Sequence, residues 1–384
     1  MNWRRTRAMA RKEFLHILRD ARSLILALML PLVMLLAFGY ALSLDVDRVP
    51  VTVCDRDRTP ASRELVSRFD GSRYFEVVSE VESPEQVDRE IDRGRAAMAL
   101  VIPGSYAKDL AGGREDGDAE VQLIFDGSDS NTAAIALGYA DALVQGYALQ
   151  LRAAAEAKLS GRRTPAPVGA RTRVWYNSEL ESKNYIVPGL VAVILMIIAA
   201  LLTSLTIARE WETGTMEQLL STPVRPSEMV LGKLSAYFAL GLCDMAVCLV
   251  AGVFVFGVPL RGSFPLLLLS CGVFLFGALS WGVMLSASTR SQMMAFQAGV
   301  LTSFLPAFLL SGFIYSIQNM PAVIRAVTYV IPARYFITIL KGVFLKGVGV
   351  EVGAAAVAAE LAFLALYAAA VFVFATRKLR GKIA

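Results

Sequence analysis

Residues 186–208, IVPGLVAVILMIIAALLTSLTIA, carry no charge, and they run directly into residues 209–223, REWETGTMEQLLSTP. About 20 apolar residues in a helix cross the ~30 Å hydrocarbon core of a bilayer, so the first stretch is predicted to span a membrane. The second is dense in charge and punctuated by Gly214 and Pro223. A spanning helix that opens into such a segment offers a surface on which a soluble partner can push. The chain is expected to receive work rather than to produce it.

Composition agrees. The 384 residues are 55% hydrophobic, above the ~45–50% of soluble domains, and mean hydropathy is +0.53. Six long runs with at most one ionisable residue each qualify as spans: about 23–44, 186–208, 235–258, 263–287, 295–317 and 352–376. Charge is unevenly placed. Residues 45–183 hold 18 Lys/Arg and 24 Asp/Glu, and the rest of the chain holds 20 and 9. An acidic insert thus sits in a basic membrane body. The basic residues lie at span ends and form no continuous patch, which argues against nucleic acid as a partner.

Topology follows from the positive-inside rule. Arg4, Arg5, Arg7, Arg11, Lys12, Arg19 and Arg22 precede the first span, and Arg377, Lys378, Arg380 and Lys382 follow the last. Both termini are expected to be cytoplasmic, with residues 45–183 outside and 209–233 inside. Arg325, Arg334, Lys341 and Lys346 would then lie on the outer side, where a folded segment must hold them. The first apolar run is longer than the 7–15-residue core of a cleaved signal and no small-x-small site follows, so it reads as an anchor. Cys54, Cys243, Cys248 and Cys271 have no metal-ligand spacing and imply no disulfide framework.

The expected organisation is an α-helical membrane protein of six transmembrane helices with an inserted extracytoplasmic α/β domain and an N-terminal interfacial helix. In residues 1–22, Ala10, Phe14, Ile17, Leu18 and Ala21 recur at helical spacing, as in an amphipathic helix lying in the cytoplasmic interface; a solvated basic leader is the alternative. The first span is placed at 23–44. In residues 45–183, β-rich runs at 49–54, 74–78, 97–102 and 120–125 alternate with helical patterns opened by Thr59-Pro60, Ser83-Pro84 and Pro103-Gly104. That alternation favours crossovers and at least partly parallel pairing. A long helix, about 130–159, and a Gly/Pro/Arg-rich linker, 160–172, lead back to the membrane. Residues 184–384 hold spans two to six. Spans three and four form a hairpin through residues 259–262, and residues 288–291 join four and five inside. Ser311-Gly312, Asn319-Met320-Pro321 and Pro332 interrupt the last third, so residues 318–345 are expected to form a short re-entrant or interfacial segment on the outer side.

Several enzyme classes are excluded. One histidine, His16, cannot build a His-dependent triad or a multi-His metal site. Gly232-Lys233 is followed by Leu234 and lacks the upstream glycine of a phosphate-binding loop. No catalytic, cofactor-binding or metal site is expected. Active transport would draw its energy from another polypeptide or an ion gradient.

In the segment after span two, Thr213 or Thr215 is expected to cap a short helix, with Glu217 in its first turn and Pro223 at its stop. Arg209, Glu210 and Glu212 would hold this helix across the end of the span. An ordinary solvated loop with capping residues fits the same letters.

The chain resembles a known family. Arg209-Glu210-x-Glu212-x-Gly214-Thr215-x-Glu217-x-Leu219 is followed by Thr222-Pro223-Val224, Gly232-Lys233, residues 308–315 (FLLSGFIY), Met320-Pro321 and Ile331-Pro332-x-x-Tyr335-Phe336. With the order of basic helix, span and large insert, this looks like the membrane subunit of type 2 ABC exporters, in the branch of multidrug-type permeases with a periplasmic insert between spans one and two. The resemblance implies six spans per subunit, a dimer of this chain or a pairing with a paralogous permease, and two copies of a separate cytoplasmic ATP-binding subunit. It implies that ATP binds the partner and not this chain, that the membrane is the bacterial inner membrane, and that a periplasmic adaptor is a possible partner. It also makes the segment of Arg209, Glu210, Glu212, Gly214, Thr215, Glu217 and Pro223 the coupling helix. Trp211 departs from the pattern, standing where a charge is common.

Two ionisable residues fall inside expected spans. Asp244 lies near the middle of span three, where a charge costs about 2.5–3.5 kcal/mol on insertion scales, and Glu360 about eight residues into span six. Either they face a substrate or proton path, or they are protonated or hydrogen-bonded ties between helices. Phe304 and Phe308 either line an apolar route or pack. The function expected is export of a drug-like, lipid or other amphiphilic substrate. A membrane-anchored assembly protein and a gradient-driven carrier are the rivals.

Overall fold

The computed structural model describes residues 2–42, 47–111, 119–160, 175–177, 181–289, 291–349 and 354–383. The chain forms two units, one of Met1–Ser43 with Arg173–Ala384 and one of Leu44–Thr172. Most of the expected linker at 160–172 lies outside the described residues.

Helix α1 (Trp3–Arg19) starts at Asn2, whose side chain accepts the Arg4 N–H, and stops at Asp20, whose N–H bonds back to the His16 carbonyl. Helix α2 (Ala21–Ala41) follows. The face of α1 that turns inward carries Thr6, Met9 and Glu13. The apolar stripe read from the sequence is a different one, and on it Phe14 and Leu18 stay exposed. An amphipathic helix lying at a membrane surface needs such a stripe for lipid.

The second unit runs β1 (Val49–Asp55), α3 (Pro60–Asp70), β2 (Phe75–Glu80), α4 (Pro84–Asp92), β3 (Met98–Ile102), α5 (Tyr106–Leu110), β4 (Gln122–Phe125) and α6 (Ser130–Ser160). Thr59 and Ser62 form a reciprocal cap at the start of α3, with Pro60 in its first turn. The sheet order is β2-β1-β3-β4; β1 is parallel to β2 and β3, and β4 is antiparallel to β3. Strands β1 and β3 are almost continuously apolar because both sheet faces are covered. Val51, Val53, Met98 and Leu100 pack with Leu65 and Phe69 of α3 and with Ala136 and Ala140 of α6. Cys54 and Ala99 pack with Val87 of α4.

The membrane body continues with α7 (Ser182–Glu212), α8 (Thr215–Leu220), α9 (Pro226–Val250), α10 (Phe264–Ser288), α11 (Gln292–Gly299), α12 (Leu305–Leu309), α13 (Ala322–Thr328), α14 (Pro332–Leu345) and α15 (Ala354–Ile383). Among the described residues, five runs are long and apolar enough to cross a membrane: Ser182–Glu212, Pro226–Val255, Phe264–Ser288, Gln292–Leu309 and Val357–Gly381. The shorter apolar stretch Ala27–Ala41 in α2 and the pair α13–α14, bent by 77°, stand beside them. The expected fifth span ends at Leu309 rather than 317, because residues 310–316 turn. Of the expected sixth span, the stretch Val357–Gly381 qualifies, and Glu360 lies inside it near its start. A π-helical segment, Ala251–Val255, ends the run Pro226–Val255, and another, Val300–Phe304, interrupts the run Gln292–Leu309.

Helix α7 is the centre of the bundle, with 83% of its most apolar window buried. Lipid tails are as apolar as leucine, so helices in a membrane are held by close packing and by hydrogen bonds between them. Helices α7 and α10 show both. The Thr203 hydroxyl lies 2.8 Å from the Ala199 carbonyl and 2.9 Å from that of Leu279, and the Ser286 hydroxyl accepts the Ile207 and Ala208 N–H groups at 2.9 Å each.

Three of the four cations expected on the outer side, Arg325, Arg334 and Lys341, are internally engaged, and Lys346 is exposed. Arg325 donates to the Gln318 and Met320 carbonyls, Arg334 stacks 4.1 Å from the Tyr329 ring centre, and the Lys341 ammonium sits 3.4 Å over the Tyr185 ring. At the turn between α9 and α10, the Arg261 and Gly262 N–H groups bond to the Phe344 and Val343 carbonyls at the end of α14.

Candidate functional site at the end of α7

Helix α7 stops when Thr213 donates its N–H to the Arg209 carbonyl, and Gly214 then turns the chain with φ at +72°. A β-carbon clashes in that left-handed conformation, so glycine suits it. Contrary to the sequence expectation, neither threonine caps α8. The Thr213 hydroxyl donates to the Arg209 carbonyl at 2.8 Å and the Thr215 hydroxyl to that of Glu210 at 3.4 Å, so both serve the end of α7. Met216 is fully buried and pins α8 to the bundle, while Gly214, Thr215, Glu217, Gln218 and Leu220 are exposed. Together they form a ledge. Helix α8 ends at Leu220, and Pro223 lies beyond it, with its carbonyl accepting the Arg5 guanidinium of α1.

The expected coupling residues divide into two groups. Glu217, Thr215, Gly214, Pro223 and Arg209 face solvent, whereas Glu210 and Glu212 are used inside the chain. Glu212 accepts the Gln292 backbone N–H at 2.7 Å and its side-chain amide, tying the end of α7 to the start of α11. Glu210 is buried. The Lys233 ammonium of α9, itself buried, donates to Glu13 Oε1 of α1 and to Glu210 Oε1 of α7, both at 2.9 Å. Lys12 approaches the same two oxygens at 3.5 and 3.3 Å.

Two cations and two carboxylates therefore join three helices. The cluster has no net charge, which is what makes burial tolerable. Burial pushes the Glu13 carboxyl up, but Lys233 and then Lys12 more than offset it, leaving its pKa below the ordinary value. A second tie lies nearby: Glu228 at the start of α9 accepts the Asn2 and Arg225 N–H groups. Gly232 makes the approach of α1 possible, since a β-carbon there would lie 2.7 Å from Met9 Cβ.

Sequence reasoning missed Glu13, Glu228 and Lys233. Lys233 drew notice for the phosphate loop it fails to make and as part of the Gly232-Lys233 pair in the family resemblance. The available signal was a lysine about two turns inside an apolar helix, where an unpaired cation is costly.

The remaining candidates stand apart from this cluster. Asp244 of α9 is fully buried, and among the described residues neither of its carboxylate oxygens has a hydrogen-bond partner. Glu360 is half-buried with Oε2 unpartnered. Phe304 and Phe308 are half-buried and pack as rings 5.2 Å apart; Phe308 also meets Phe38 at 6.2 Å and Phe313 at 5.9 Å. Trp211 is half-buried against the core.

Residues 21–377 match the ABC-2 family transporter protein description. The chain is 38% identical over 347 residues, 90% of each chain, to the probable multidrug ABC transporter permease YbhS of Escherichia coli (strain K12). It is 30% identical over 342 residues, 89% of this chain and 90% of the other, to the probable multidrug ABC transporter permease YbhR of the same organism. ABC transporter G family member 20 of Dictyostelium discoideum is 22% identical over 352 residues, 90% of this chain and 46% of its own length. With its membrane-crossing helices and these matches, the chain belongs to the ABC-2 family of transporter proteins and is a type 2 ABC permease.

Proposed function

We propose that the chain forms the translocation path of an ATP-driven exporter of amphiphilic, drug-like compounds in the bacterial inner membrane, with both termini cytoplasmic and residues 45–183 periplasmic. Two permease chains, identical or paralogous, would pair, and each would dock a separate ATP-binding subunit. ATP stays on that subunit. A periplasmic adaptor is the further partner that the insert would serve.

The ledge of α8 carries this reading. Its solvent face presents Thr215, Glu217 and Gln218, and its root is locked through Glu210 and Lys233 to α1 and α9. A force applied to the ledge is therefore delivered to three helices together. Closure of the ATP-binding subunits would move α7 and, through Glu212 and Gln292, α11. The path would shift from an inward- to an outward-open population, driven by differential affinity for the two states.

The test is copurification. From native membranes the chain should bring an ATP-binding subunit in equal amount, and Glu217→Arg should lose that subunit while inserting normally. An unchanged yield of the subunit would sink the docking assignment.

A further inference from the structure

Two cavities meet beside the charge cluster, and both lie within the membrane body. The first, of about 350 Å³, is walled by Leu24 and Ala27 of α2, Leu201, Leu202 and Leu205 of α7 and Phe296 of α11, among others. The second, of about 480 Å³, carries charged, hydroxyl and amide side chains on its wall, among them Lys12, Glu210, Lys233, Thr213, Thr215 and Gln218. They share His16, Thr206, Arg209 and Tyr237. The first lies in the size range of small-molecule sites, about 300–1,000 Å³. Apolar space that opens toward charged and hydroxyl side chains is the shape of an amphiphile.

Charge chooses the headgroup. In the second cavity, Lys12 and Lys233 are consumed by Glu13 and Glu210. Asp20, on the apolar cavity's rim, already has an interaction of its own. Among the described residues Arg209 has no ion pair or side-chain hydrogen bond, and it stands at the junction. A guanidinium there suits a carboxylate or phosphate, and a charge-assisted bond of that kind is among the stronger polar contacts.

We propose that this paired cavity binds a single-chain anionic amphiphile from the membrane, its tail among Leu24, Ala27 and Leu205 and its headgroup on Arg209. The headgroup would then touch Thr213, Thr215 and Gln218, the residues around the turn into α8. Binding needs no ATP-binding subunit, so it stands or falls separately from the exporter reading.

The experiment uses the full chain alone in nanodiscs of neutral lipid with a photoactivatable diazirine analogue of hexadecanoic acid. Saturable labelling of α1, α2 and α7 is expected, competed by hexadecanoate or by lysophosphatidate. Whichever competes at lower concentration names the headgroup as carboxylate or phosphate. Free acetate and inorganic phosphate should not compete. Arg209→Gln, a change at an exposed position, should weaken binding about tenfold, and Leu205→Trp, filling the tail cavity, should abolish it. Equal competition by hexadecanol or hexadecyltrimethylammonium, unaltered binding to Arg209→Gln, or labelling confined without saturation to the outer surfaces of α10 and α15 would overturn the assignment.

Discussion

Replacing Lys233 with methionine keeps the length of the side chain and removes its buried charge. Glu13 and Glu210 then face each other. Their oxygens lie 2.9 Å from the same nitrogen. They are thus at most ~5.8 Å apart, and two unit charges at that distance repel by about 3 kcal/mol at an effective dielectric near 20. Removal of one partner from a buried ion pair costs about 3–5 kcal/mol. The low end applies, because Lys12 remains at 3.5 and 3.3 Å. The loss falls on the docking of α1, which carries one of the two carboxylates.

Trypsin reads this directly, since Arg4, Arg5, Arg7, Arg11 and Lys12 lie on that helix. When opening is fast relative to cleavage, the rate follows the open population, and about 3 kcal/mol raises that population about 150-fold. The triple variant Glu13→Gln, Glu210→Gln, Lys233→Met removes the repulsion as well and should return to within about tenfold of the parent. Cleavage of Lys233→Met at the parental rate, or of the triple variant as fast as the single, refutes the account.

Other outcomes follow from the same geometry. Gly214→Val forces a β-branched residue into φ +72°; it should cost about 1–2 kcal/mol and reduce the bound ATP-binding subunit in a pull-down, with membrane insertion unaltered. Because the Glu13 pKa is lowered on folding, its contribution is complete above the unfolded carboxyl value of about 4.3 and is lost as pH falls through the folded one. Hydrogen exchange of α1 amides, corrected for intrinsic rates, should therefore be faster at pH 3 than at pH 7, and Glu13→Gln should weaken that dependence, the remainder belonging to Glu228, whose carboxylate also holds α1 by accepting the Asn2 N–H. Asp244→Leu removes a buried carboxyl whose oxygens lack hydrogen-bond partners among the described residues; it should raise stability by about 1 kcal/mol, seen as a higher unfolding temperature, and a lower one would show that the carboxyl has an unrecognised partner.

The bundle was legible where one property recurs along a run. The charge-free residues 186–208 announce α7, and alternating β-rich and helical patterns in 49–125 announce the sheet and its crossovers. The breaks at Met320-Pro321 and Pro332 mark the starts of α13 and α14. The site was legible only in outline. Glu13, Glu210 and Lys233 lie far apart in sequence, and each alone reads as a solvated charge; only packing permitted by Gly232 brings them together. Gly214 was visible as punctuation, but the chain's choice to spend both neighbouring threonines on α7 depends on a conformation that letters do not encode. The inward face of α1 was misread for the same reason, since a buried glutamate is apolar to no scale.

The bent pair α13–α14 has a bearing on biogenesis. Lys341 finds its aromatic cover on Tyr185, at the start of α7, and the last carbonyls of α14 are met by the turn joining α9 to α10. Neither partner belongs to the pair itself. The segment can settle only against earlier helices already threaded, so the order of synthesis supplies its template before its own cations emerge.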